Sequence, residues 1–298
     1  MFYGKPCACG KRFIDEVFAH LYVIMVEERE ISPVAPLSAV GVPLVHPGFS
    51  IRSPPYLPVK SLLLLSWHAT KGTADRIMAE VPEVRGVVKS GNFIPGVVNE
   101  EDLTPPKVYE LLAGCDVRAD VFYSSHGPVV LYKQQSLVHI EFPRGYDPKI
   151  VSVERRINTA IPDVFVDACS GVGTLGLTAA QFGIRQVIMN DTWFAAAFWA
   201  AFNLKVNAES FQVNEVRIKK TYDQMKKNPV LKNPELVADT TGPQTIIVYQ
   251  GDFRELYRVI PKKPVMTVLD IFRKDNAEVV WRIKKEWQDR VPGEVFIP

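Results

Sequence analysis

The spacing of apolar residues changes repeatedly along the chain. Residues 31–60, "ISPVAPLSAVGVPLVHPGFSIRSPPYLPVK", are broken by proline too often to carry a helix and predict extended connections. From Ser61 the pattern becomes regular. "SLLLLSW" predicts a buried strand, "TADRIMAEV" a short helix and "VRGVVKS" a second strand, together a βαβ unit. "VRADVFYSS", "PVVLYKQQ" and "SLVHIEF" predict further strands, with His126-Gly127 at one turn.

"RGYDPKIVSVERRI" bridges to a section where strands and helices alternate. The strand "VFVDA" leads to a helix near "GTLGLTAAQFG" with Gly183 as its C-cap, then come the strand "RQVIMND" and the helix "WFAAAFWAAFNLKVN". A polar, lysine-rich interval follows, and after it the strands "TIIVYQGD" and "VMTVLDIF", the helix "AEVVWRIKKEW" and a last short strand "GEVFIP". Such alternation predicts an α/β architecture, a parallel sheet covered by helices on both faces. The chain thus divides into a proline-rich N-terminal region (1–60), a small α+β domain (61–150) and a Rossmann-like domain (151–298).

Composition narrows the picture only modestly. The chain has 298 residues, 47% hydrophobic and 23% charged, ordinary for a protein that builds a packed core. A formal charge of +2 announces neither a nucleic-acid binder nor a membrane-surface protein. The sequence offers no long apolar run to span a bilayer and no secretory signal in "MFYGKPCACGKRF", so a cytoplasmic, non-membrane location is expected. Cys7 and Cys9 lack the second pair that a closed zinc site needs, and a reduced loop is expected there. The histidines are scattered without ligand spacing.

The chemistry concentrates in "VFVDACSGVGTLGLTAA", where Gly171, Gly173 and Gly176 follow Asp167 in GxGxxG spacing. Glycines permit a tight turn and close backbone approach of a ligand, with a helix N-terminus beyond. In dinucleotide folds a pyrophosphate lies over that helix start, and an ionised Asp167 would repel it. A cationic ligand without phosphate fits better, and S-adenosylmethionine, with its sulfonium and ammonium, is one. Asp191 closes the second strand, suited to ribose hydroxyls or to capping the next helix. Asp252 closes the third in "VYQGDF", suited to an adenine amino group or to a turn.

With "ND" and "GD" following it, "VDACSGVG" resembles the cofactor site of class I S-adenosylmethionine-dependent methyltransferases. The resemblance implies that Asp167 serves the methionine ammonium, Gly171 and Gly173 the methionine backbone, Asp191 the ribose and Asp252 the adenine. It also places Ser170 among the cofactor contacts. "YDPKIVSVERRI" and "NDTWFAAAFWAAFNLKVN", with the Asn203 to Asn207 spacing, are similar to the archaeal and eukaryotic tRNA-guanine methyltransferases and wyosine-forming transferases. That likeness implies tRNA as partner.

The chain departs from that pattern after the fourth strand, where "LDIFRKD" carries Asp270 but no proline, and it reaches "GEVFIP" where a fifth strand is expected, leaving the family's last two strands unaccounted for. Asp270 then acts as hydrogen-bond acceptor or general base and Phe272 as a stacking ring, or the pair is a helix cap and a core residue. Cys169 has no activating neighbour in sequence and suits loop packing. Phe194, Phe198 and Phe202 recur at helical spacing and predict core. Arg217 to Lys227 is either a phosphate-contacting stretch or a solvated face. The resulting expectation is direct methyl transfer to a tRNA guanine. A small-molecule or protein acceptor and a non-catalytic cofactor-fold module are the rivals.

Overall fold

A computed structural model describes residues 6–98, 103–272 and 274–298. The chain forms two units that are discontinuous in sequence: Met1–Pro95, Lys107–Asp120 and Gln134–Phe142 make the first, and Gly96–Pro106, Val121–Lys133 and Pro143–Pro298 the second.

The first unit opens with β1 (Arg12–Phe13) and α1 (Ile14–Glu27). Helix α1 is not among the elements expected from sequence. Val17, Leu21, Ile24 and Met25 line its buried stripe, yet its N-cap is Phe13, which makes no side-chain capping bond. Within the proline-rich stretch lie a single 3₁₀ turn at Leu37–Val40 and the short strands β2 (Val42–Val45) and β3 (Tyr56–Leu57), consistent with extended connections. β4 (Leu62–Ser66), α2 (Lys71–Glu80) and β5 (Val84–Lys89) form the expected βαβ unit, with β4 and β5 parallel. With β6 (Glu110–Gly114) they complete a four-stranded sheet in the order β2-β4-β5-β6. Leu62, Leu64, Val84 and Val87 pack on α1 and α2, while Leu63, Leu65 and Val88 turn to the other face.

β7 (Val117–Ser124) and β8 (Gly127–Gln134) form a hairpin turning at Ser125-His126, with Gly127 at φ 122°. "SLVHIEF" is not a strand. The Leu137 and Val138 amides bond back to the Gln134 carbonyl, so the segment turns and makes no ladder. At the N-terminus Cys7 and Cys9 are joined by a disulfide, which corrects the expectation of a reduced loop.

Most of the β7–β8 hairpin, Val121–Lys133, belongs to the second unit, whose long C-terminal segment opens with α3 (Pro148–Thr159), started by Asp147 as N-cap and Pro148 in the first turn. Then come β9 (Val164–Asp167), α4 (Thr174–Gln181), β10 (Gln186–Asp191), α5 (Phe194–Val206), β11 (Glu215–Ile218), α6 (Tyr222–Lys226), β12 (Glu235–Thr241), β13 (Thr245–Gln250), β14 (Val265–Val268), α7 (Ala277–Gln288) and β15 (Gly293–Phe296). The sheet runs β11-β12-β13-β10-β9-β14-β15. β13, β10, β9, β14 and β15 are parallel, the doubly wound α/β arrangement of a Rossmann-like domain. β11 and β12 are antiparallel additions inside the lysine-rich interval, where no strand was expected. Gly183, at φ 72°, follows α4 as the left-handed residue that ends it.

The chain winds from β9 to β10 and β13 on one side, then crosses to β14 and β15 on the other. The order reverses between β9 and β14, where open α/β sheets leave a crevice at the strands' C-terminal ends.

Candidate functional site

Four apolar or acidic residues, Val164 to Asp167, make β9, and all four are buried between flanking layers. Asp167 is therefore a carboxyl with 0% exposure at the end of a central strand. The glycine turn folds over it. Gly176 donates its backbone N–H to Asp167 Oδ2 at 2.8 Å. A Cβ on Gly176 would lie 2.4 Å from Met189 Cγ and 3.3 Å from Asp167 Oδ2, so close packing dictates a glycine there. Asp167 Oδ1 has no hydrogen-bond partner among the described residues. Burial pushes the Asp167 carboxyl well above the ordinary carboxylate range, the negative charge of Asp270 adds to the rise, and the Gly176 N–H opposes it.

Gly171 and Gly173 adopt left-handed φ values of 53° and 99°. Nothing lies within 4 Å of where a Gly171 Cβ would be, so this backbone faces open space. The turn is tied down from beneath. Ser170, 7% exposed, donates its N–H to the Asn190 carbonyl at 2.8 Å and accepts from the Gly173 N–H at 2.8 Å through its own carbonyl.

Asp191 ends β10. Its Oδ2 accepts from the Gly171 N–H at 3.0 Å and its Oδ1 from the Trp193 N–H at 2.9 Å. The residue thus holds the turn before α5 and the glycine loop together. Burial pushes its carboxyl up to about 6, against the two backbone donors. Asp252 caps the 3₁₀ turn Phe253–Arg258, accepting from the Arg254 N–H at 3.0 Å. Arg254 Nε also reaches both carboxylate oxygens, at 3.0 and 2.9 Å. Asp252 is thereby engaged by its own turn, the second of the two roles its position suits.

Asp270 lies just past β14, in an ion pair with Lys149 Nζ at 2.8 Å and with Lys274. β14 lies parallel to β9 with Val268 opposite Asp167, so Asp270 follows two residues beyond the buried acid's register position. Phe272, with 54% exposure, is not a core residue. Gly251 N–H donates to the Asp191 carbonyl at 3.0 Å, which sets Asp252 beside the end of β10. The acids at the ends of β9, β10, β13 and β14 therefore line one end of the sheet.

Two participants escape sequence reasoning. Asn190, fully buried, donates its side-chain amide to the carbonyls of Ala168 at 3.1 Å and Gly251 at 2.8 Å, fastening the ends of β9 and β13 to β10. Its only signal is the asparagine preceding Asp191. Lys149 sits in the first turn of α3, where the Asp147 cap presents it to Asp270.

The first part of the basic interval is paired: Arg217 and Lys219 face Asp239 at 2.7 and 3.5 Å, and Lys220 pairs with Glu235, while Lys226 and Lys227 are exposed. Phe194 and Phe198 meet Tyr222 edge-on and Phe202 meets Tyr132, so the α5 aromatics pack within the unit. Among the described residues, no cluster of His, Cys, Asp and Glu is arranged to hold a metal ion. No described helix is long and apolar enough to cross a membrane.

No protein-family model matches the chain, and no curated protein matches it. Among solved structures it is similar to Trm1 from Pyrococcus horikoshii in complex with S-adenosyl-L-methionine, at 20% identity and a TM-score of 0.34, over 51% of this chain and 36% of that one. It is similar to TYW2 from P. horikoshii in complex with MeSAdo, at 16% identity and a TM-score of 0.38, over 85% of this chain and 71% of that one. A putative transferase from the same organism aligns at 15% identity and a TM-score of 0.44, over 94% of this chain and 78% of that one. The strand order itself, rather than these alignments, establishes the doubly wound sheet.

Proposed function

We propose that the second unit binds S-adenosylmethionine and transfers its methyl group to a guanine of tRNA, in the cytoplasm. One observation carries the cofactor reading: the buried Asp167 carboxyl leaves Oδ1 without a partner at the head of a glycine turn whose Gly171 backbone faces open space. An unmade hydrogen bond on a buried acid is costly, and a cationic donor relieves it. A pyrophosphate offers Oδ1 no donor and would oppose ionisation of the carboxyl instead.

In this reading Asp167 accepts from the ligand's ammonium, and Ser170, Gly171 and Gly173 allow its methionine portion to approach the backbone. Asp191 keeps lone pairs for the ribose hydroxyls while holding the loop. Asp252 and Arg254 together face the adenine, the acid no longer acting alone. When bound, the sulfonium supplies an activated methyl group. The chain's own work is to align the acceptor, exclude water and take the acceptor's proton. Asp270 is the group for that proton, with Lys149 and Lys274 holding it in place. Phe272, exposed at the same rim, offers a face for a planar base.

The rival acceptor, a small molecule or protein, is favoured by one observation: Arg217, Lys219 and Lys220 already spend their charge on Asp239 and Glu235. Incubation with methyl-labelled cofactor and, in parallel, unmodified tRNA, total protein and a metabolite extract separates the readings. Label in tRNA guanine, with binding that weakens steeply as salt rises, is the expected result. Label only in protein or metabolites replaces tRNA with the rival. Absence of cofactor binding leaves a non-catalytic module.

A further inference from the structure

The helix α5 and the residue that ends it carry two buried asparagines, Asn203 at 0% and Asn207 at 6% exposure, and both are spent on the edge of β8. Asn203 Oδ1 accepts from the Tyr132 N–H at 2.7 Å while its Nδ2 donates to the Tyr132 carbonyl at 2.9 Å. Asn207 repeats the pattern on Val130: Oδ1 accepts from the N–H at 2.9 Å and Nδ2 donates to the carbonyl at 2.7 Å. Four residues of helix rise about 6 Å and two residues of strand about 6.8 Å, so the spacings match. Two side-chain amides thus serve β8 as a neighbouring strand would and cover its open edge.

The two asparagines differ in their last bond. Asn207 Nδ2 donates to the Asn203 carbonyl at 2.8 Å, inside its own helix. Asn203 Nδ2 donates instead to the Val172 carbonyl at 3.0 Å. Val172 lies between Gly171 and Gly173, the two left-handed residues of the cofactor loop. Glycines permit that backbone path but do not select it, since they are equally at ease in other conformations. The Asn203 bond fixes the plane of the Val172–Gly173 peptide and so selects one path.

We infer that Asn203 is a positioning residue, which sets the conformation of the glycine loop and links it to β8. The inference rests on the cofactor reading only for its effect on binding. The loop's rigidity is a separate consequence. Asn207 provides the matched control, because it grips the same strand in the same way without touching the loop.

Asn203→Ala and Asn207→Ala are to be compared in the full chain by calorimetric titration with S-adenosylhomocysteine and by hydrogen exchange at the amides of residues 171–176. Both variants lower Tm by loosening β8. Asn203→Ala weakens binding by about tenfold, the worth of one hydrogen bond that orders the site, and speeds exchange across the loop. Asn207→Ala leaves affinity within about twofold and loop exchange unchanged. Equal effects of the two variants, or loop exchange unaltered in Asn203→Ala, overturn the inference. If Asn203→Ala does not fold, Asn203→Gln, which displaces the amide by one methylene, is read by the same criteria. If the wild-type chain binds no S-adenosylhomocysteine, the cofactor reading fails, and loop exchange still decides the role of Asn203.

Discussion

Replacing Asp167 by asparagine separates binding from folding, because the two respond with opposite signs. The side chain keeps its size, and an amide oxygen still accepts from the Gly176 N–H, now made to Oδ2 at 2.8 Å. What disappears is the charge behind Oδ1, the atom without a partner. Losing a charge-assisted bond to a buried cation is worth about 3 kcal/mol, which weakens S-adenosylmethionine binding by about 150-fold.

The free protein should not suffer in step. Its Asp167 carboxyl is raised well above the ordinary range, chiefly by burial and then by Asp270. Between the ordinary carboxylate pKa and that raised value, the unfolded chain has released a proton that the folded chain retains. Stability from this group therefore falls as pH rises through the window. The uncharged amide of the Asp167→Asn variant carries no such dependence, so the Tm of the variant relative to wild type climbs with pH. Calorimetric titration at pH 8 and thermal melts from pH 5 to 8 measure both quantities. Lost affinity together with a variant Tm that trails wild type increasingly toward pH 8 would refute the reasoning, since Asp167 would then be a stabilising structural ion.

Asp191→Asn tests the same logic one strand away. With its carboxyl pushed up to about 6 from 3.8, ionising Asp191 costs the folded state about 3 kcal/mol, a penalty that grows from about pH 4 to pH 6 and is constant above. Denaturant unfolding should show the variant gaining on wild type across that window, and parallel curves would contradict it. Gly176→Ala drives a methyl group to 2.4 Å from Met189 Cγ and should cost about 1–3 kcal/mol, less in a Met189→Ala background, by double-mutant unfolding. Asp270→Asn should lower kcat by about a hundredfold or more while leaving cofactor affinity within a few fold, in a labelled-methyl assay with the acceptor that takes up label. Lys149→Ala, which removes the 2.8 Å partner of Asp270, should shift the pH profile of kcat with little effect on Tm.

What the sequence discloses follows from how local each signal is. The path from β9 to α4 is legible because an apolar run, an acid and the glycines stand together, and the left-handed φ of Gly171 and Gly173 is what such a turn requires. The β4-α2-β5 unit is legible for the same reason, with Thr70 as the cap that starts its helix. Helix α1 is hidden by the absence of that mark, since Phe13 caps nothing with its side chain. β11 is hidden because its residues are alternately exposed and half-buried and its charges resemble a solvated stretch; the antiparallel strand β12, with Asp239 opposite Arg217, completes it from farther along the chain.

The partners of Asp270 are long-range as well. Lys149 stands 121 residues earlier, and a lysine in the first turn of a helix has no signature of its own. Likewise, Asn203 reaches Val172 across 31 residues, so its bond to the loop exists only once α5 is packed. Sequence spacing thus names the acids at the strand ends, while the groups that orient them emerge from tertiary packing. Asp252 is legible in the same way, while its contact with Arg254, whose Nε reaches both of its oxygens, is visible only in the folded turn.

Selection of a cationic nucleoside over a phosphorylated one is most directly tested by titrating the chain with S-adenosylmethionine and, separately, with NAD, in two buffers of different ionisation enthalpy. The raised Asp167 carboxyl predicts that S-adenosylmethionine binds with release of a proton and more tightly at pH 8 than at pH 6, and that NAD gives no heat. Binding of NAD in its place, or S-adenosylmethionine binding with no proton released and no response to pH, would contradict the account.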